Sequence, residues 1–318
     1  MKRYACRGCV RRGAGVESLA VSGQAREKGK TAALAEVSLI LAAIFWGGNY
    51  AATKYTAEYL PQLPIVAFRF AAGGLLLYFV VRLLEPGGKM RRGDLIQLLG
   101  LGCLGVATSQ IAFTFGVSMT SASNTGLVFA TAPVWGLLLG AVLGLERPGW
   151  RGILGVGLSI AGVAIVFREG LAGAAGSSFI GDCLILVAAV GVGAYTVFSM
   201  PMLERLSPLA VAAYPTLFAA PVVVLVAAPY LASLDWQSVG TGAWAALCYS
   251  AVLATAFAFT AWQKGISRIG ANRVLVYQYL ITLTGVASGI VFFDEHLGPS
   301  KLAGGAVILL GVYLARRQ

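Results

Sequence analysis

The sequence predicts an all-α integral membrane protein whose ten transmembrane helices form two inverted five-helix repeats. Three observations predict this fold: an apolar composition, a series of charge-free runs long enough to cross a bilayer, and an internal match between the two halves of the chain. Of the 318 residues, 58% are hydrophobic and only 12% are charged, whereas about 25% of the residues of a soluble protein are charged. So few charges could not cover a soluble fold, which argues against a soluble enzyme.

Charged residues mark the ends of the apolar runs, and a spanning helix needs about 20 residues. Each run predicts one helix, except that the stretch 94–146 has room for two helices joined by a polar turn at 118–124. The runs are 36–54, 64–82, 94–146, 151–168, 182–204, 208–230, 244–264, 272–294 and 302–316. Together they predict ten helices joined mostly by short loops.

The basic residues predict how the chain is oriented. When the N-terminus is placed inside the cell, 20 of the 24 Lys and Arg residues fall on the inner side, and only Arg168 and Lys301 fall on the outer side. Because Lys and Arg accumulate in cytoplasmic loops, both termini are expected in the cytoplasm. Residues 1–33 are basic and Gly-rich without a continuous apolar core. They therefore predict a disordered cytoplasmic tail, or an over-extended translation start, rather than a cleaved signal peptide.

The two halves of the chain match each other. A shift of 149 residues aligns several glycines and a pair of glutamates in one register, which predicts repeats at 34–169 and 177–318. The matched residues include Glu146 and Glu295, Gly155 and Gly304, and Gly162 and Gly311. Because five is odd, equivalent helices would cross the membrane in opposite directions, as in many secondary transporters.

Glycines spaced four residues apart predict close helix packing in the fourth and ninth helices. They are Gly136, Gly140 and Gly144 in the fourth helix and Gly285 and Gly289 in the ninth. Small residues at this spacing let helix backbones approach each other in lipid. The pattern is compatible with static packing and with an interface along which helices slide.

Several short motifs occur in order along the chain. They are Phe45-Trp46-Gly47-Gly48-Asn49-Tyr50-Ala51-Ala52-Thr53-Lys54, Phe68-Arg69-Phe70, Ser121-Ala122-Ser123-Asn124 with Pro133, and the Glu146…Gly155…Gly162 spacing with its second copy. From residue 34 onward the chain thus resembles the EamA-type drug/metabolite transporter superfamily. It departs from the family pattern at Leu280-Ile281, where members often carry a proline. The resemblance implies a ten-helix inner-membrane transporter, commonly an exporter of amino acids, other metabolites or toxic compounds.

Arg69 is the most informative candidate residue. It lies inside a run of only 19 residues, which places it in the bilayer, about 8 Å below the outer end of its helix. Charges at this depth face the protein interior, are paired and mark substrate pathways. No Asp or Glu lies near the middle of a run, so a substrate carboxylate or a carbonyl at a helix end is the expected partner. The alternative is an arginine that snorkels to the outer interface.

Other polar and aromatic residues within the runs are candidates for a substrate-binding pocket. With Arg69, the predicted set consists of Trp46, Asn49, Tyr50, Gln110, Tyr195, Tyr277 and Gln278. Amides and phenols in lipid need partners, so they face the protein interior or water. The aromatic rings would pack against the substrate, the amides would hydrogen-bond it, and Arg69 would attract an anionic group. Helix–helix packing is the alternative role for each residue.

Three charged residues at helix ends are candidates for gating. Lys54 closes the first helix, where either snorkelling or a cavity-facing role is open. Glu146 and Glu295 precede the fifth and tenth helices on opposite membrane faces. Each carboxylate would either cap its helix N-terminus, where the macrodipole favours negative charge, or act as a gate latch.

The sequence therefore predicts a secondary transporter that exports small metabolites, amino acids or related compounds, across the inner membrane by alternating access. An uncoupled channel-like facilitator is the alternative. An integral membrane enzyme is disfavoured because the chain has one histidine and lacks a P-loop and a metal-ligand cluster. No cofactor, metal or nucleic-acid partner is expected. The expected partners are a small-molecule substrate and the lipid bilayer, with the monomer as the working unit.

Overall fold

The computed structural model is helical throughout the residues that it describes, which are 9–86, 90–144, 149–172, 176–270, 274 and 277–316. This part of the chain contains no strand, and the predicted all-α class is confirmed. In chain order its helical segments are α1 (Cys9–Thr56), α2 (Gln62–Leu84), α3 (Arg92–Met119), α4 (Ala122–Val142), α5 (Trp150–Ala172), α6 (Gly176–Leu203), α7 (Pro208–Ala232), α8 (Thr241–Ile269), α9 (Tyr277–Phe293) and α10 (Pro299–Arg316).

Most of these helices are long and apolar enough to cross a membrane. Among the described residues, seven qualify: α1 from Ala33 onward, α2, α3, α4, α6, α7 and α8. The apolar parts of the other three are shorter: Trp150–Val166 in α5, Tyr277–Phe293 in α9 and Pro299–Leu314 in α10. Each helix overlaps one of the predicted charge-free runs, and α3 and α4 share the run 94–146.

The first helix begins much earlier than the sequence analysis predicted. The segment 1–33 was expected to be disordered, but α1 is continuous from Cys9 to Thr56. No proline interrupts the chain before Pro61, so nothing forces the helix to end at the membrane boundary. Residues 1–8 lie outside the described part of the chain.

Two helices contain a segment of π-helix at matching places. Leu101–Ala107 is π-helical within α3, and Val252–Phe257 is π-helical within α8. In a π-helix the backbone hydrogen bonds run from residue i to i+5, which displaces carbonyls from the normal ladder, and such segments often occur at functional sites. The side chain of Thr255 follows this wider turn, since its hydroxyl donates to the carbonyl of Ser250 at 2.8 Å.

Helices from the first part of the chain pack on helices from the second part. α2 packs on α7, and α5 packs on α10. In addition, α1 packs on α8 and α9, while α6 packs on α3 and α4. The predicted glycine stripe of α4 is shorter than expected. Gly136 faces Gly193 of α6, but Gly144 lies beyond the last helical residue with a φ of 71°, so it ends the helix rather than extending the stripe.

Polar contacts define the two ends of the bundle. At one end, which we call the Lys54 end, the last turns of α1 and α3 meet the first turns of α4, α6 and α10. At the other end, the Arg205 end, Glu85 after α2 accepts a hydrogen bond from Ser207 at 2.5 Å. There Arg205 also forms an ion pair with Asp94 at 3.0 Å. The helices therefore alternate in direction along the chain.

Candidate functional site

A small cavity lies within the bundle between α1, α2, α3, α4, α6, α8 and α9. The volume available to the centres of water molecules is about 60 Å³. This is room for a few waters. Its walls are mostly apolar and aromatic, with a few polar groups. The lining residues are Trp46, Asn49, Tyr50, Arg69, Val106, Ser109, Gln110, Phe113, Phe129, Val192, Tyr195, Phe259, Trp262, Gln278 and Ile281.

Arg69 is the charged residue of this cavity. Its side chain is only 3% exposed, so it does not snorkel to the membrane interface. Its Nε donates to the hydroxyl of Thr255 at 2.7 Å, and its Nη1 donates to Oε1 of Gln110 at 3.2 Å. Among the described residues, no carboxylate lies within salt-bridge distance of the guanidinium, and no hydrogen bond joins its Nη2 to the protein. The charge is thus held by neutral partners alone.

Two other polar atoms of the cavity have no partner. Oδ1 of Asn49 and the hydroxyl of Tyr50 are buried without a hydrogen bond to any described residue. A buried polar group without a partner costs about 1–3 kcal/mol, so water or a ligand is expected to bond to both. One atom accepts hydrogen bonds and the other can donate or accept.

Aromatic rings form the walls around these polar groups. The rings of Trp46 and Trp262 lie 5.1 Å apart, and that of Phe259 lies 5.5 Å from Trp46. The indole N–H of Trp46 donates to the carbonyl of Ala254 at 2.7 Å. This carbonyl belongs to the π-helical segment of α8, which also contains Thr255. The π-helix of α8 therefore fixes both the aromatic wall and the arginine.

Two carboxylates hold together the Lys54 end of the bundle. Glu295, which follows α9, accepts hydrogen bonds from the backbone N–H groups of Ala122 and Ser123 at 2.8 and 2.9 Å. Lys54 forms an ion pair with Glu295 at 3.2 Å and donates to the carbonyl of Thr120 at 3.1 Å. Glu295 thus caps α4 rather than α10, which was one of the two roles considered for it, because the chain after α9 folds back over the α3–α4 turn.

The second carboxylate at the Lys54 end is Asp182 of α6. It is fully buried and accepts hydrogen bonds from the Thr120 hydroxyl at 2.5 Å and from the Asn124 amide at 3.3 Å. Two carboxylates from the second half of the chain therefore accept hydrogen bonds from the α3–α4 turn of the first half and from the residues next to it.

Both halves of the chain match one family. The model of the EamA-like transporter family matches residues 33–168 and again residues 179–317. The chain belongs to the EamA-like transporter family. With its series of membrane-length helices, it is a multi-pass membrane transporter.

Relatives of this EamA-like transporter are similar to it over nearly their whole length. An uncharacterized transporter of Archaeoglobus fulgidus is 23% identical over 89% of this chain and 98% of its own. The "Probable terminal-alkyne amino-acid exporter" of Streptantibioticus cattleyicolor is 26% identical over 88% and 93%. The "Probable amino-acid metabolite efflux pump" of Salmonella typhimurium is 27% identical over 86% and 92%. A solved crystal structure shares the fold, with a TM-score of 0.63 and 18% identity over 89% of this chain and 97% of that chain.

All the predicted substrate-binding residues of this EamA-like transporter except Tyr277 line the cavity. Gln278 lines it and donates to the carbonyl of Phe129 at 3.4 Å. Successive residues of a helix point about 100° apart, so Tyr277 turns away from the cavity and packs against the hydrophobic core. The helix-end candidates lie elsewhere: Lys54 and Glu295 meet at the Lys54 end, and Glu146 lies outside the described residues.

Thr255 and Asp182 are important polar residues that the sequence analysis did not select. Thr255 is one of several hydroxyl residues in its apolar run, so nothing in the run distinguishes it. A signal that could have found it is that Ala254-Thr255 repeats the pair Ala107-Thr108 of the first half. In the sequence, Asp182 marks the start of an apolar run, which predicts a position at the beginning of a helix. In the structure α6 starts at Gly176, so Asp182 lies more than one turn inside the helix.

The pKa of Glu295 indicates how the stability of the Lys54 end depends on pH. Burial alone would raise the pKa of Glu295, but the hydrogen bonds from Ser123 and Ala122 and the charge of Lys54 lower this pKa below its ordinary value of 4.5. A carboxyl with a lowered pKa in the folded state stabilises the fold above its ordinary pKa, and this stabilisation is lost as the pH falls through the lowered value.

We therefore expect the thermal stability of the transporter to decrease as the pH is lowered from neutral to below the ordinary range of a carboxyl. Glu295→Gln should be less stable at neutral pH and show a shallower decrease, because the pH-sensitive contact is already absent. Asp235→Asn, which alters an exposed loop carboxylate, is the control and should follow the wild type. Equal slopes for Glu295→Gln and the wild type would contradict the assignment.

Proposed function

We propose that this EamA-like transporter exports a small metabolite with an anionic group, an amino acid or a related compound, across the inner membrane by alternating access. The observation that carries the proposal is a buried arginine in an aromatic cavity, with no acidic partner in the part of the chain that the structure describes. The proposed working unit is a monomer in the lipid bilayer, without a cofactor or a nucleic-acid partner.

The unpaired charge of Arg69 favours an anionic substrate. An isolated charge is costly to bury, and a partner of opposite charge with additional hydrogen bonds offsets the cost. Thr255 and Gln110 satisfy two of the guanidinium nitrogens but supply no negative charge. A carboxylate in the cavity would supply it, since carboxylates bind arginine through short charge-assisted hydrogen bonds.

The remaining polar atoms of the cavity favour a substrate that also carries hydrogen-bond donors. Oδ1 of Asn49 is a buried acceptor without a partner, which suits an ammonium group. A zwitterion would thus bind with its carboxylate at Arg69 and its ammonium group at Asn49, and its apolar part would pack against the aromatic wall of Trp46 and Trp262. Two of the relatives carry names that refer to amino-acid export, which supports the same class.

Several features support two inverted five-helix repeats as the basis of alternating access. The family model matches the chain twice, the packing of α1 on α8 and α9 recurs as that of α6 on α3 and α4, and the π-helical segments occupy corresponding helices. Repeats related by a pseudo-two-fold axis in the membrane plane give a transporter two states that the same axis relates. The basic residues favour cytoplasmic termini, which would place the Lys54 end outside the cell.

Substrate counterflow in proteoliposomes tests the proposal. Vesicles loaded with one unlabelled amino acid at a time should accumulate the labelled compound when it is a substrate, and the initial rate should saturate. Asn49→Leu should lower the affinity for substrates with an ammonium group by about 10-fold or more, because a hydrogen bond to a charged group is worth about 1.5–3 kcal/mol. Asn49→Leu should leave the corresponding carboxylates without an amine unaffected.

Two outcomes would contradict the proposal. Flux that rises linearly with concentration and shows no counterflow would indicate the channel-like facilitator instead of a carrier. Transport confined to compounds without an anionic group would remove the role proposed for the cavity. If Asn49→Leu binds no compound at all, Tyr50→Phe is tested in its place, because it removes only a single hydroxyl from the same wall.

A further inference from the structure

A second, larger cavity lies on the side of the bundle, between α2 and α8 at the Arg205 end. The volume available there to the centres of water molecules is about 770 Å³, whereas in the central cavity it is about 60 Å³. We call it the α2–α8 crevice. The side chains used below are Leu76, Val80, Glu85, Val252, Thr260, Lys264, Ser267 and Arg268, all of which line it.

The crevice is separate from the proposed substrate cavity. The two lie on different faces of α8, since Phe259 and Trp262 line the central cavity while Thr260 and Lys264 line the crevice. Near the middle of α2, Gly73 packs directly against Thr255 of α8 and closes the space between the helices. From this contact the crevice extends mainly toward the Arg205 end, where Lys264 and Arg268 line it.

Its lining changes character along its length. Leu76, Val80 and Val252 make the part nearer the middle of the helices apolar. Lys264 and Arg268, one helical turn apart near the end of α8, make the rim basic. Among the described residues, neither cation has a carboxylate within salt-bridge distance. The one lining carboxylate, Glu85, accepts a hydrogen bond from the Ser207 hydroxyl at 2.5 Å. Because two cations face this single carboxylate, the rim keeps an excess of positive charge.

We propose that the α2–α8 crevice binds an anionic phospholipid, with its phosphate at Lys264 and Arg268 and its acyl chains along Leu76, Val80 and Val252. Basic pockets between membrane helices on the cytoplasmic side suit such headgroups, and the basic residues of this chain favour the cytoplasm at this end. The hydroxyls of Thr260 and Ser267 lie on the same rim and can donate to phosphate oxygens. The two positive charges complement a lipid of net negative charge.

Lipid retention by the purified full chain tests this site. The protein is equilibrated with vesicles of equal parts phosphatidylcholine and phosphatidylglycerol, extracted in detergent and washed, and its bound lipid is quantified by mass spectrometry. The wild type should retain phosphatidylglycerol in preference to phosphatidylcholine. Lys264→Gln with Arg268→Gln should lower the affinity for phosphatidylglycerol by about 10-fold or more, since each basic residue near an anionic headgroup contributes roughly fivefold.

The matched control changes two other exposed cations at the same end, Arg92→Gln with Arg151→Gln, neither of which lines the crevice. This pair should retain lipid as the wild type does. Val80→Trp fills the apolar part without altering the charges, and it should displace both lipids. Equal retention of the two lipids by the wild type, unchanged retention in Lys264→Gln with Arg268→Gln or in Val80→Trp, or an equal loss in the control pair would each overturn the proposal.

Discussion

Replacing Arg69 with methionine should abolish transport of an anionic substrate while leaving the empty protein at least as stable as the wild type. Loss of one partner of a buried charge pair costs about 2–5 kcal/mol of binding, which corresponds to a fall in affinity of about 300-fold at the middle of that range. The empty protein, in contrast, no longer has to bury a charge without a counter-charge. Replacement of buried ionic groups by apolar residues of similar volume is often neutral or stabilising.

The combination of these two results separates a binding role from a structural one. If Arg69 served mainly to tie α2 to α3 and α8 through Gln110 and Thr255, Arg69→Met would lower the melting temperature as well as the transport rate. Arg69→Lys is the companion variant, because lysine keeps the charge but not the planar donor fork, and it should retain part of the binding. Counterflow rates and thermal melting of the same preparations provide the comparison. Binding by Arg69→Met at the wild-type affinity would contradict the role.

The fold was largely predictable because the bilayer restricts what the sequence can do. Spanning segments must satisfy their own backbone hydrogen bonds, so charge-free runs predict helices directly, as at α2 and α7. Charged residues gave less reliable boundaries. A helix end is not fixed by the membrane surface, and α1 and α6 both begin well before the charges Glu36 and Asp182 that marked their runs.

The candidate site was predictable where a residue type is costly in lipid. Arg69, Gln110, Asn49 and Gln278 are conspicuous in apolar runs, and the structure places all of them around one cavity. Which side of a helix faces the cavity was harder to predict, because neighbouring polar or aromatic residues cannot all face inward. Tyr277 is the predicted residue that does not line the cavity. Irregular backbone was not predictable at all: no glycine or proline marks the Val252–Phe257 π-helix that orients Arg69 through Thr255.

Contacts at the helix ends depend on how loops fold, which sequence spacing does not reveal. Glu295 precedes α10 by a few residues, and its position alone favours a cap on that helix. In the structure the residue before it, Asp294, adopts a φ of 48°, and the carboxylate of Glu295 lies instead on the first turn of α4. The functional interpretation also changes, because a contact between α4 and the end of α9 joins the two halves rather than capping one helix.

A single added side chain at Gly162 should disrupt the contact between the two halves, with an effect on stability as large as any expected for this protein. α5 and α10 approach so closely that a Cβ at Gly162 would lie 2.7 Å from the backbone nitrogen of Ile308 and 2.8 Å from the carbonyl oxygen of Gly304. Backbone atoms of a packed helix cannot retreat as a flexible side chain can. Gly162→Val should therefore cost about 3 kcal/mol or more, at the upper end of the range for overpacked cores, and give little folded protein.

Gly157→Val is the matched control, because it makes the same substitution on the same helix. A Cβ at Gly157 meets no atom within 4 Å, and the residue lies on the exposed side of α5. We expect this variant to melt and to purify like the wild type, as measured by fluorescence-detected size-exclusion chromatography after heating. If both variants were equally impaired, the loss would lie in helix propensity rather than in the α5–α10 contact. Gly304 approaches Gly162 from the other side with the same lack of space. If neither variant were impaired, the α5–α10 contact would therefore be too loose to hold the two halves together.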